Sequence, residues 1–417
     1  MAAEKLLFAH YLRGIASLSV LIGHLAGVFW LRGAAASNLA NTPLYSGSIP
    51  AIVFTLNSAP QFDYGVFGVG VFFLISGFVI PFSLRKYESG QFLIARFFRI
   101  VPPYLAGFSI TIAALILSSV YYGKEFLYTW WAVLANAMFM RDLFWIPEID
   151  GIVWTLEIEL KYYLLCAIII LWIKRGDFRR ILLLCLLFFL GLIVSTAVLP
   201  WITNVIPWTH IVFLLYVYQM DITMITFMFI GTMIYFYYSE KISLNYLACA
   251  IILLFAIFSA EWYISFIKDG AYIGILNFSL ALLLFLTLFQ FRNGFFPSSG
   301  QNISRLSRFF SLFPEFGILK KTGENLYQIK QFCLERLIKP GLTELADISY
   351  SLYIVHGVTN YVIMRILLDL HFDPVLVLII GISDSLVLAY LLNRYIEIPS
   401  NEFGKKIASG LKKRGPS

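Results

Sequence analysis

An all-α, polytopic membrane helix bundle is the fold class the sequence predicts, and three observations predict it. Of 417 residues, 60% are hydrophobic and 13% charged, with a mean hydropathy of +0.81, whereas a soluble domain carries about 25% charged residues. About ten apolar stretches approach the roughly 20 residues that a helix needs to cross a bilayer. Lys and Arg are also distributed unevenly between alternate connections. The first observation alone excludes a soluble enzyme, a nucleic-acid binder and a disordered hub.

The expected spans are 7–29, 65–84, 102–121, 151–172, 181–199, 219–238, 245–266, 272–290, 347–367 and 375–395. The first has no small-residue cleavage site after it and reads as a retained span rather than a signal peptide. The apolar segment 126–140 reads as interfacial, and the aromatic, proline-containing 201–218 as a re-entrant or surface segment. With ten spans, 24 of the 31 Lys and Arg fall on the side of both termini, four on the other side and three within spans. Both termini are therefore expected to be cytoplasmic, and the net charge of +7 reads as topology rather than as a polyanion partner. The chain is expected to form a single transmembrane domain over 1–417, with a cytoplasmic loop at 291–346 and a short basic cytoplasmic tail at 398–417 that ends in a solvated KKRGPS. The Asn302-Ile303-Ser304 sequon then lies on the wrong face for glycosylation. The four cysteines, at 166, 185, 249 and 333, suggest neither a disulfide framework nor a zinc site. With no HExxH, DxD or His/Cys cluster, no metal is expected.

Ionisable groups inside spans are expensive and by default face the bundle interior. Arg13 and His24 are 11 residues apart, three helical turns plus about 20°, so they share one face about 16 Å apart along the axis, with Ser17 on the same face. Histidine can accept and return a proton near neutrality. The same pair also fits Arg13 snorkelling to headgroups and His24 bonding a neighbouring helix. In the fourth span Glu157 and Glu159 point to nearly opposite faces. Lys161, four residues after Glu157, is its expected partner, which leaves Glu159 for the interior beside Thr155, Tyr162 and Tyr163. Arg96 and Arg99 stand one helical turn apart at the cytoplasmic boundary, spaced to present two guanidinium forks to phosphates, though positive-inside loops produce such pairs without a ligand. Gly65, Gly68, Gly70 and Gly77 permit close helix packing. In the ninth span Ser349, Tyr353, His356 and Asn360 form one polar stripe. Tyr353 and His356, with Trp154 at the head of the fourth span, are candidates for substrate binding. Asp384 is an isolated acid in the tenth span.

Six motifs in order, LRGIAxLxVLxxH from Leu12 to His24, GVFFLISGF, RFFR with a following proline, WTLEIELKYYLL, ISYSLYIVH and YIEIP at 395–399, resemble the acyltransferase-3 family of bacterial integral membrane O-acyltransferases across nearly the whole chain. The resemblance implies transfer of an acyl group, usually acetyl, from cytoplasmic acyl-CoA to a hydroxyl of a glycan or lipid-linked saccharide, at the bacterial inner membrane. By resemblance, His24 takes the base or acyl-handling role, Arg13 supports it, and Arg96 with Arg99 meets the CoA phosphates. Family members commonly carry Asp where this chain has His10. The loop at 291–346 is longer than a typical family connection, and no hydrolase-like domain follows the last span. The expected mechanism has His24, oriented by Glu159 or another polar group, deprotonating the acceptor hydroxyl, with an acyl-histidine relay as the alternative. The partners are acyl-CoA, the saccharide acceptor and lipid, and no nucleic acid. A multi-pass transporter or flippase also fits ten spans with intramembrane Arg, His and Glu, although no inverted repeat is visible.

Overall fold

In a computed structural model of the chain, residues 7–205, 210–266, 271–290 and 339–412 are described. All regular structure among them is helical. α1 (Leu7–Ile22) runs through a π-helical turn (Gly23–Val28) into α2 (Phe29–Leu31), and the short α3 (Gly33–Ala40) and α4 (Ala51–Leu56) lead to α5 (Tyr64–Lys86) and α6 (Ser89–Tyr121). Then follow α7 (Trp130–Ala137), α8 (Arg141–Phe144), α9 (Val153–Ile168), α10 (Ile170–Arg175), α11 (Phe178–Val205), α12 (His210–Tyr238), α13 (Leu244–Ser265) and α14 (Ala271–Gln290). The last group is α15 (Lys339–Asp347), α16 (Ser349–Val355), α17 (Val358–Asp369) and α18 (Pro374–Leu392), which passes through a π turn (Asn393–Glu397) into α19 (Ile398–Lys412).

The chain is a multi-pass membrane protein. Among the described residues eight helices are long and apolar enough to cross a bilayer, and the pair α16–α17, bent by 55°, makes a ninth. Outward-facing Leu183, Leu187, Leu190 and Val194 on α11 are exposed, as lipid contact requires. The expected count of ten differs at 151–172, where the helix breaks at Ile169 into a 16-residue and a 6-residue piece, neither long enough alone.

Three other expectations are corrected. The third span starts at Ser89 rather than 102, because α6 continues through Pro102 and Pro103, whose missing N–H donors a membrane bundle tolerates. Arg96 and Arg99 therefore lie within a helix. Residues 201–205 and 210–218 extend α11 and α12, so the backbone described there is not re-entrant. The expected loop ends early: 339–347 is the helix α15, while 291–338, with Asn302 and Cys333, lies outside the described residues. The basic tail forms the helix α19 as far as Lys412 and packs on α6, where Phe403 meets Phe98 edge-on at 5.2 Å between ring centroids, while 413–417 lie outside the described residues. Segment 126–140 does contain a short helix, and its Trp130 and Trp131 are exposed, as an interfacial position favours.

α1 is shared by two packing clusters. Phe8, Leu12 and Ala16 pack with α5, α9 and α11–α14, while Val20, Leu21 and Leu25 pack with α6 and α16–α18. Glycine sets the close approaches. A Cβ on Gly68 would stand 2.8 Å from the Ala16 carbonyl oxygen, and one on Gly23 would stand 2.8 Å from the Gly65 nitrogen. These contacts hold the N-terminal half of α5 against α1 at the level of His24.

Candidate active site

Two cavities lie along α1. The first, of about 80 Å³, is lined by Arg13, Ser76, Arg96, Arg99, Thr155, Glu159, Tyr163, Tyr350 and Tyr353, with apolar residues of α5. Arg96 is tied in place: it donates to Ser83 Oγ and lies over the Phe92 and Tyr163 rings, 5.5 Å from each centroid. Glu159 accepts from Ser76 Oγ at 2.7 Å and from the Tyr163 hydroxyl. None of Arg13, Arg96 and Arg99 is in an ion pair among the described residues. Three guanidinium groups thus share one cavity with a single carboxylate, an arrangement suited to an anion.

The second cavity, of about 190 Å³, is lined by His24, Arg32, Asp63, Trp154, Trp262, Phe278 and Tyr353, among others. His24 lies two residues past the α1 terminus, in the π turn. Its Nδ1 is 2.7 Å from the hydroxyl of Tyr361, a residue 1% exposed. The His356 ring packs edge-on against the His24 ring at 4.6 Å. At the rim, Arg32 pairs with Asp63 at 3.2 Å, and Asp63 Oδ1 caps α5 by accepting from Gly65 N at 2.9 Å and Val66 N at 3.1 Å. Val69 and Tyr353 line both cavities. The Tyr353 hydroxyl lies 2.6 Å from Thr155 Oγ1, which itself donates to the Ile152 carbonyl at 2.9 Å. Because the threonine proton is committed, Tyr353 is the donor between them.

The sequence-derived candidates therefore divide. Arg13, Arg96, Arg99 and Glu159 come together in one cavity, and His24 and Trp154 in the other, with Tyr353 between. Arg13 does not stand beside His24, and Glu159 does not reach it. Of the two alternatives expected to orient His24, Glu159 or a neighbouring polar group, the polar group in contact is Tyr361, at Nδ1. His356 lines neither cavity: α16 ends there, its Nδ1 donates to the carbonyls of Tyr353 at 2.8 Å and Leu352 at 3.1 Å, and it lies 1% exposed behind His24. The expected polar stripe on the ninth span is interrupted at that bend. Asn360 instead donates to Val355 O and Ser385 Oγ.

The expected Glu157–Lys161 pair is not formed. Glu157 meets Arg141 at 2.8 Å, and Lys161 bonds Asp142 at 2.7 Å and Asp221 at 2.6 Å, tying α9 to α8 and α12. His10 faces Asp347 at 3.4 Å, so an acid does approach this part of α1, from α15 rather than from α1 itself. Outside the spans, burial pushes the Asp150 and Glu148 carboxyls up from their ordinary values. Asp150 nevertheless caps α9, accepting from Ile152 N at 3.1 Å and Val153 N at 3.0 Å.

Tyr361, Arg32, Asp63 and Trp262 were not singled out from sequence. Asp63 carried a usable signal, an Asp immediately before an apolar helix. Tyr361 carried none, because the bend at residues 356–357 dephases any helical wheel drawn through the ninth span.

A family model described as an acyltransferase domain matches residues 6–394. No curated protein and no solved structure matches the chain. Covering nearly the whole chain and resting on the same helices that frame both cavities, the family match identifies this protein as a member of the acyltransferase-3 family, a multi-pass membrane acyltransferase.

Proposed function

We propose that the protein moves an acyl group, acetyl in the simplest case, from acyl-CoA to a hydroxyl of a cell-surface or lipid-linked saccharide at the bacterial inner membrane. The single observation that carries this reading is the pair of unlike cavities meeting at Val69 and Tyr353: one lined by three arginines without an ion pair among the described residues, the other holding His24. On the topology expected from charge, the arginine cavity lies toward the cytoplasm, where acyl-CoA is, and His24 lies toward the opposite leaflet, where the acceptor arrives.

In this reading the CoA phosphates rest against Arg96 and Arg99, and the uncharged thioester reaches inward toward Tyr353. With Nδ1–H donated to the Tyr361 oxygen, Nε2 of His24 accepts the acceptor hydroxyl proton. The hydroxyl oxygen attacks the thioester carbon, the C–S bond breaks, and the departing CoA thiolate recovers the proton from the imidazolium. The products are an ester and free CoA, with no net proton change. Glu159 balances part of the arginine charge and, through Ser76 and Tyr163, holds the donor cavity in shape.

The test is CoA release from acetyl-CoA by the full-length protein in nanodiscs, with a membrane glycan extract as acceptor. His24→Ala is expected to lower the rate by about 10²–10⁴-fold while leaving donor binding intact. Acetyl-CoA bound but never consumed, together with a labelled saccharide crossing the bilayer, would replace this reading with a transporter.

A further inference from the structure

The family match stops at residue 394, yet the chain continues as α19 (Ile398–Lys412), packed on the part of α6 that carries the arginine pair. Gly404 sets the contact: it is buried, and a Cβ there would come within 2.5 Å of the Phe98 Cβ. Phe98 precedes Arg99 and Gly404 precedes Lys405, so this fit joins the turns of α6 and α19 that carry the two cations. The Lys405 ammonium lies within electrostatic reach of Arg99, Lys86 and Arg96, and Glu402 is the acid that acts on it. Arg13 in turn feels Arg99 and Arg96.

Five cations therefore follow one another from the cavity around Arg13 to the surface at Lys405, with Glu159 and Glu402 as the acids acting on them. Like charges held this close repel, and membrane-proximal lysines on a free tail would spread apart. Here the Gly404–Phe98 contact prevents that. The exposure is graded as well: Arg96 is 9% exposed, whereas Lys405 is on the surface. A ligand that matches this gradient has an uncharged reactive end and several phosphates at the other.

We propose that α19 is part of the donor site and that Lys405 is a direct ligand of a donor phosphate, extending the arginine cavity outward. This rests on the acyl-CoA reading above. The chemistry recognised is a phosphate group, which the CoA moiety and an anionic lipid headgroup both supply, and the gradient toward a reaction cavity favours CoA.

The experiment measures free CoA binding to the full-length protein in phosphatidylcholine nanodiscs. Lys405→Ala is expected to raise the dissociation constant about tenfold, and Lys405→Arg to restore it. Lys406→Ala, about 100° round the helix, is expected to leave it unchanged. CoA binding wild type and Lys405→Ala equally well would overturn the inference while leaving the acyl-CoA reading intact. A different failure is CoA binding to neither protein while phosphatidylglycerol copurifies with wild type and not with Lys405→Ala. That result would give the site to lipid and overturn both the inference and the donor reading.

Discussion

Charge separates the two cavities along α1. Around Arg13 the cations outnumber the carboxylates three to one. Around His24 the one guanidinium, Arg32, is matched by Asp63. Among the described residues the first arrangement leaves positive charge in excess, which suits an anion. The second is balanced and has no need of an anion. It presents instead a titratable ring fixed by Tyr361 and two tryptophans, Trp154 and Trp262. In the proposed reaction, binding and chemistry are thus built from different residues and meet across Tyr353.

Arg99→Ala tests the division most severely. It is expected to weaken acetyl-CoA binding about 10–100-fold with little change in turnover at saturating donor. A loss confined to turnover would place Arg99 with the chemistry and collapse the distinction. Tyr361→Phe probes the other cavity: turnover is expected to fall about tenfold, donor affinity to hold, and the pH–rate profile to shift because Nδ1 loses its partner. An unchanged pH profile would reduce Tyr361 to packing. The smallest effect is expected at Asp150, near the head of α9. Its folded carboxyl titrates above the unfolded value because of burial, so the charged form penalises the fold. That penalty is complete above the folded pKa and vanishes below the unfolded one, so stability falls as pH rises between them. Asp150→Asn retains a capping oxygen and is expected to flatten this pH dependence of the melting temperature, by about 2 °C. A wild type that melts independently of pH would show that Tyr104, Tyr128 and Glu148 around it compensate.

What the sequence made legible followed from unbroken local geometry. α1 is regular as far as Ile22, so the 11-residue spacing that separates Arg13 from His24 along the helix matches their lining of different cavities. The two-residue spacing of Glu157 and Glu159 correctly sent them to opposite faces. The partner of Glu157 was misread because Lys161 is claimed by Asp142 and Asp221, 19 and 60 residues away in sequence, and no helical rule reaches that far. The arginine pair was visible as a motif, but the helix carrying it was not, since Pro102 and Pro103 read as a start rather than as interior residues. The packing of the tail on α6 was not legible, because Phe403 and Gly404 meet Phe98, about 300 positions earlier in sequence.

The π turn after Ile22 places His24 off the regular lattice of α1. A residue inserted into a regular helix advances everything beyond it by about 100° and 1.5 Å, whereas a π turn holds one extra residue within a single wide turn. The helical pieces on either side therefore keep their own packing, Leu12 and Ala16 in one cluster and Phe29 and Trp30 in the other, while the ring between them takes a direction that neither piece dictates.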